Sequence, residues 1–141
     1  MTKESAQKTV YTYGVFDLLH HGHLQQLEEA SKLGDRLVVG VFTDDVAAGF
    51  KRKPVIPQEQ RCALLIGLEC VDEVILQDEF APDKNILRIR PHVIAKGPGA
   101  GWNEGSSPCD IVAQQIGAQV IILPYHPGVS TSEIIKRIKE L

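Results

Sequence analysis

Three of the chain's five histidines, His20, His21 and His23, fall within four positions, with Gly22 among them. They end the run Gly14-Val-Phe16-Asp17-Leu-Leu-His20-His21-Gly22-His23. Imidazoles three residues apart share one face of a helical turn, so His20 and His23 can donate to the same anion. Gly22 removes a side chain where a ligand would approach the backbone. If a helix starts here, its first N–H groups and its dipole attract phosphate as well. Asp17 is close enough in sequence to orient a histidine or hold a cation. A lone histidine would read as a helix cap or a core residue, but three around one glycine read as a site. A zinc cluster of His20, His21 and His23 is disfavoured, because His21 points off the shared face and no further ligands stand nearby.

A second concentration is Ser130-Thr131-Ser132, hydroxyls at the entrance of the last periodic segment. They offer an N-cap and a second phosphate-binding helix terminus, with plain capping the simpler reading for Ser130 or Ser132 alone. Lys51-Arg52-Lys53 is a cationic patch that is either a phosphate contact or a solvated face. Gly97 opens a glycine-rich stretch running to Ser107, through which backbone groups could approach a base or ribose. Trp102 within it could stack on a ring or simply pack.

The elements that must position these residues alternate along the chain. Thr9–Tyr13 is β-branched and aromatic and ends at Gly14, a strand with a punctuated exit. A helical spacing runs from Gly22 to Lys32, with Gly34 as the expected C-terminal cap. Leu37–Phe42 is a continuous apolar run, as for a strand covered on both faces. Thr43–Pro57 reads as a loop, Gln58–Leu68 as a helix and Val71–Leu76 as a strand. A short helix follows from Pro82 through Ile89, then a strand at His92–Ala95. A helix over Pro108–Ile116, a strand over Gln119–Leu123 and a closing helix over Ser130–Leu141 complete the series. This pattern predicts an α/β fold, a Rossmann-like doubly wound five-stranded parallel sheet in a single domain. Ligands of such a sheet bind beyond the strands' carboxyl ends, near the topological switch.

Composition bounds the rest. A chain of 141 residues has room for one core, and 43% hydrophobic with 23% charged residues excludes a disordered chain. The formal charge of -3 exerts no global pull on nucleic acid or anionic membrane, so neither is an expected partner. No apolar run approaches the roughly 18 residues of a membrane span. Residues 1–8 are expected to be a flexible leader without the apolar stretch of a secretory signal. Cys62, Cys70 and Cys109 form no CxxC pair and are odd in number, which favours a reducing cytoplasm and a role as small buried hydrophobes.

His20-His21-Gly22-His23, within the fuller GxFDxxHxGH pattern, resembles the HxGH signature of the nucleotidyltransferase superfamily. Gly128-Val-Ser130-Thr131-Ser132 resembles its GxSTS/T element, and the likeness runs from about Thr9 to Ile138. The resemblance implies that a nucleoside triphosphate reacts with a phosphorylated acceptor and releases pyrophosphate. An acceptor phosphate is already ionised, so no general base is needed. It further implies catalytic roles for His20, His23 and Lys53. Nucleotide-binding roles follow for Tyr13, Gly14, Phe16, Asp17, Gly22, Lys51, Gly97, Ser130, Thr131 and Ser132. Arg61 matches a family arginine that binds phosphate, and Trp102 joins it as a substrate-binding residue. Magnesium would bind mainly through the triphosphate, with no protein metal site, and the assembly would be a homodimer.

The two halves resemble different branches. Thr12–His20 with Thr43-Asp44-Asp45 looks like glycerol-3-phosphate cytidylyltransferases, which are short stand-alone chains. Pro54–Pro57, Ala81–Lys84, Arg90–Gly97 and Leu123-Pro-Tyr125 look like the module that adenylylates heptose 1-phosphate. Lys53–Arg61 also resembles archaeal FAD synthetases, which act on FMN. Tyr125-His126 stands where cytidylyltransferases carry Arg-Thr, and Lys96–Trp102 lacks the acidic residue of both branches. The first expectation is transfer from CTP to a small phosphorylated alcohol such as glycerol 3-phosphate. The alternatives are ATP with a sugar phosphate, and a nucleotide-binding protein without turnover.

Overall fold

The computed structural model describes residues 7–97, 109–124 and 130–141. Strand β1 (Thr9–Gly14) runs parallel to β2 (Arg36–Phe42), from Thr9 opposite Arg36 to Gly14 opposite Val41. Strand β3 (Glu73–Gln77) pairs with β2, β4 (Val93–Lys96) with β1, and β5 (Gln119–Ile122) with β4, all parallel. The order β3-β2-β1-β4-β5 puts the chain reversal between β1 and β4. This is the doubly wound Rossmann-like sheet that the alternation predicts.

Helices α1 (His21–Ser31), α2 (Asp44–Phe50), α3 (Gln58–Ile66), α4 (Asp83–Ile89), α5 (Cys109–Ile116) and α6 (Thr131–Lys139) cover it. Successive strand side chains point to opposite faces, so each strand feeds two cores. Val10, Leu37, Val39, Val41, Val93 and Ala95 pack with Leu27 and Ala30 of α1 and Leu65 of α3. Tyr11, Val38 and Ile94 pack with Ala47 of α2, Ile86 of α4 and Val112 of α5. Cys62, Cys70 and Cys109 lie against these cores, and none is disulfide-bonded.

One buried network ties three elements together. The Tyr11 hydroxyl donates to Gln77 Oε1 at 2.6 Å and accepts from Asn85 Nδ2 at 3.1 Å. A Cβ on Gly40 would fall on that hydroxyl, so the apolar run of β2 has a glycine in its middle.

Two expectations need correction. Thr43–Pro57 is not all loop: Thr43 Oγ1 accepts from the Val46 N–H at 3.3 Å, and Asp44 and Asp45 occupy the first turn of α2. That cap, with Val46 and Phe50 one turn apart, is a helix signal outweighed in the sequence by Gly49 and two prolines. Gly34 is not the cap of α1, which ends at Ser31 with Lys32 as its C-cap. A Cβ on Gly34 would instead strike the carbonyl of Lys8 at 2.7 Å. Among the described residues, no helix is long and apolar enough to cross a membrane.

Candidate active site

The connection from β1 to α1 is a strained turn. Phe16 and Leu18 have φ of 56° and 51°, the left-handed region that L side chains rarely adopt. Such conformations cost on the order of 1–3 kcal/mol each and gather at functional sites. Between them Asp17 turns inward and is 2% exposed. Its carboxylate accepts from the N–H groups of Val55 at 2.8 Å and Ile56 at 2.9 Å, and from Arg52 Nη1 at 3.4 Å. Asp17 therefore clamps the segment after α2 onto the turn. It neither orients a histidine nor stands ready for a cation, because three donors already hold both oxygens. Nothing within Lys51-Arg52-Lys53 distinguishes its middle member, so the role of Arg52 depends on the fold.

His20 is the N-cap of α1. Its Nδ1 accepts from the N–H groups of Gly22 at 3.1 Å and His23 at 3.4 Å, while His23 Nδ1 accepts from the His20 N–H at 3.2 Å. The pair forms a reciprocal capping box with imidazoles in place of the usual hydroxyl and carboxamide. Their rings stack with centroids 3.7 Å apart, and Phe16 meets His23 edge-on at 5.5 Å. The expectation of open amides at Gly22 and His23 thus fails, because His20 occupies both. The gain is that each Nδ1, as an acceptor, keeps its proton on Nε2. The His20 Nε2–H then reaches Thr131 Oγ1 at 3.3 Å, and the Thr131 hydroxyl donates to the Asp17 carbonyl at 3.1 Å. Capping, one of the two readings of a histidine here, uses Nδ1 of each ring and leaves Nε2 for other partners.

Burial, then the neighbouring His20 and Lys51, lower the pKa of His23 to about 3, against a smaller opposing pull from Asp17. His20 is lowered too, by burial first and then by His21 and Lys51. Both rings are therefore neutral donors at physiological pH. The unfolded chain binds these protons near pH 6.5, well before the folded protein does. The stability they confer is thus complete above pH 6.5 and is lost as pH falls from there toward 3. Thermal melts should show this decline in the wild type and a shallower one in His23→Asn. Equal slopes would return His23 to an ordinary, solvated histidine.

A pocket of about 220 Å³ opens beside this turn, beyond the carboxyl ends of β1 and β4. Of the residues the sequence marks, His23, Asp17, Thr131, Lys51, Gly14 and Gly97 line it, as do Tyr13 and Phe16. Burial and then Arg52 lower the Lys51 pKa, opposed by Asp17. Lys53 is exposed and not part of the lining, so of the two lysines only Lys51 meets the pocket. Ser130 caps α6 by accepting from the Glu133 N–H at 3.1 Å, and Ser132 is exposed; neither lines the pocket. Trp102, Tyr125, His126 and the Gly97–Ser107 stretch beyond Gly97 lie outside the described residues.

Arg61 departs furthest from expectation. It is 1% exposed, and its guanidinium donates to the carbonyls of Ile56, Val15 and Phe42 and to the Asp44 carboxylate at 2.6 Å. Asp44 also accepts from the Gln58 N–H, so Arg61 fastens the starts of α2 and α3 beneath the pocket. Four of its five N–H donors are engaged in this way, and burial keeps the group from a substrate phosphate.

Five further residues line the pocket without being marked by the sequence: Val15 of the turn, Gln26, Phe42, Phe50 and Phe80. Gln26 of α1 packs against Gly97, where an added Cβ would meet its amide at 2.9 Å. Phe42, Phe50 and Phe80 form the opposite wall. They are far apart in sequence and read there as core or loop residues.

The profile of the family described as cytidylyltransferase-like matches residues 11–137. The chain is 41% identical to bifunctional protein HldE of Methylobacillus flagellatus over 138 residues, 96% of this chain and 28% of that protein. It is 36% identical to HldE of Helicobacter pylori over 94% of this chain and 28% of that one. The chain spans less than a third of the length of these curated relatives. A solved lipopolysaccharide core biosynthesis protein from Thermoplasma volcanium superposes with a TM-score of 0.75 at 30% identity, covering 85% of this chain and 98% of that one. Pantoate-beta-alanine ligase from Francisella tularensis, at 14% identity and a TM-score of 0.58, shares the fold.

Proposed function

Since this chain belongs to the cytidylyltransferase-like family, we propose that it transfers an adenylyl group from ATP to a sugar phosphate, releasing pyrophosphate. The observation that carries nucleotidyl transfer is the convergence of His23, Lys51, Gly14 and Thr131 on one pocket at the chain reversal. ATP and a sugar are supported over CTP and glycerol 3-phosphate by the HldE relatives, together with the C-terminal segments that resemble the heptose 1-phosphate adenylyltransferase module.

An acceptor phosphate oxygen attacks the α-phosphorus, and the bond to the β-bridging oxygen breaks with its electrons leaving on pyrophosphate. No proton needs to move. The chain's work is then alignment and charge neutralisation. The neutral His23 donates Nε2–H toward charge developing on the α-phosphate, and Lys51 supplies the nearby cation. His20 acts at one remove, bridging α1 to Thr131 so that the two helix starts keep their spacing. Among the described residues no three His, Cys, Asp or Glu side chains gather to hold a metal, so magnesium would arrive on the triphosphate oxygens and offset their charge.

The test is pyrophosphate release with ATP or CTP, each paired with heptose 1-phosphate or glycerol 3-phosphate. ATP with the sugar phosphate should be the productive pair. Turnover only with CTP and glycerol 3-phosphate would restore the cytidylyl reading. ATP binding without any turnover would make the chain a nucleotide binder.

A further inference from the structure

Three phenylalanines from separate stretches meet on one side of the pocket. Phe42 ends β2, Phe50 ends α2, and Phe80 follows β3. Phe50 meets Phe42 and Phe80 edge-to-face at 5.0 Å each, and Phe42 and Phe80 lie 6.3 Å apart. Phe42 is buried, but Phe50 is 45% exposed and Phe80 41%. Water on a ring of that size costs about 25 cal/mol for each Å² left uncovered. Lys51 follows Phe50 directly and also lines the pocket. The opposite, β4 side presents the amide of Gln26 against Gly97.

We propose that Phe50, backed by Phe42 and Phe80, is the platform for the carbon face of a ring-form sugar whose phosphate is met by Lys51. The inference rests on the adenylyl-transfer reading and names the residues that seat its acceptor. A nucleobase is told from its rivals by donors and acceptors on its edge, and phenylalanine rings have neither. Gln26 has both, so the base belongs on the β4 side and the aromatic wall is left to the acceptor. A pyranose ring carries a flat face of C–H groups that covers an aromatic ring, with its phosphate one substituent away. That geometry suits a wall and a lysine contributed by consecutive residues. Glycerol 3-phosphate has no comparable face, so the same wall discriminates against open-chain alcohols.

The test compares the wild type with Phe50→Ser and Phe50→Tyr, using heptopyranose 1-phosphate as probe. In saturation-transfer NMR, irradiating aromatic protons should label the sugar's ring C–H protons in the wild type and in Phe50→Tyr, and markedly less in Phe50→Ser. In turnover, Phe50→Ser should raise the KM for the sugar phosphate about tenfold or more and the KM for ATP far less. An unaltered sugar KM, undiminished labelling in Phe50→Ser, or a rise confined to the KM for ATP would overturn the platform. Labelling through Phe50 without wild-type turnover would sink the transfer reading and keep the platform. Sugar turnover indifferent to Phe50→Ser would do the reverse. Neither labelling nor turnover in the wild type would remove both.

Discussion

Replacing His23 with alanine is expected to lower kcat of the proposed transfer by about 10²–10³-fold, the usual consequence of removing one preorganised donor from developing charge. The structure also sets the side effect. His23 Nδ1 accepts the His20 N–H in the capping box, so its loss costs about 1 kcal/mol of helix start. The variant should therefore remain folded by circular dichroism and melt slightly earlier. Because burial holds the His23 pKa near 3, the wild-type rate should show no inflection from this ring between pH 5 and 8. A near-wild-type rate in His23→Ala would remove the residue from the chemistry. An acid limb near pH 6.5 that disappears with the imidazole would mean that the charged ring acts, contrary to the neutral-donor account.

The second large effect is on stability. Arg61→Ala removes the donors that satisfy three backbone carbonyls and the Asp44 carboxylate. Breaking a buried pair and stranding its partners typically costs about 3–5 kcal/mol, a large share of a small domain's stability. The melting temperature should fall by on the order of 10–20 °C. Arg61→Lys should fare little better, since one ammonium cannot span acceptors in the β1–α1 turn, on β2 and on α2 at once. If either variant melted like the wild type while the KM for the acceptor rose, Arg61 would be a phosphate ligand after all. The expected damage is to the fold first, because α2 carries Phe50 and leads into Lys51.

What the chain discloses by itself is whatever depends on near neighbours. Alternating apolar runs and helical spacings specify the five parallel strands. His20 and His23 are legible as a pair at a helix start because three-residue spacing fixes their shared face. Thr131 at the head of α6 is visible for the same local reason.

The tertiary structure decided everything that turns on which atoms a side chain reaches across distance. Lys51 and Lys53 are two residues apart and the same side chain, yet only the register of α2 brings Lys51 to the pocket. Ser130, Thr131 and Ser132 are alike in chemistry, and the helix phase turns one inward. Arg61 carries a charge that usually belongs to solvent or phosphate, but four acceptors from elements far apart in sequence enclose it. Phe42, Phe50 and Phe80 share no local pattern at all. Periodicity encodes the face on which a residue lies, whereas its partners are set by the closing of the sheet and the docking of α2, which no short window of sequence contains.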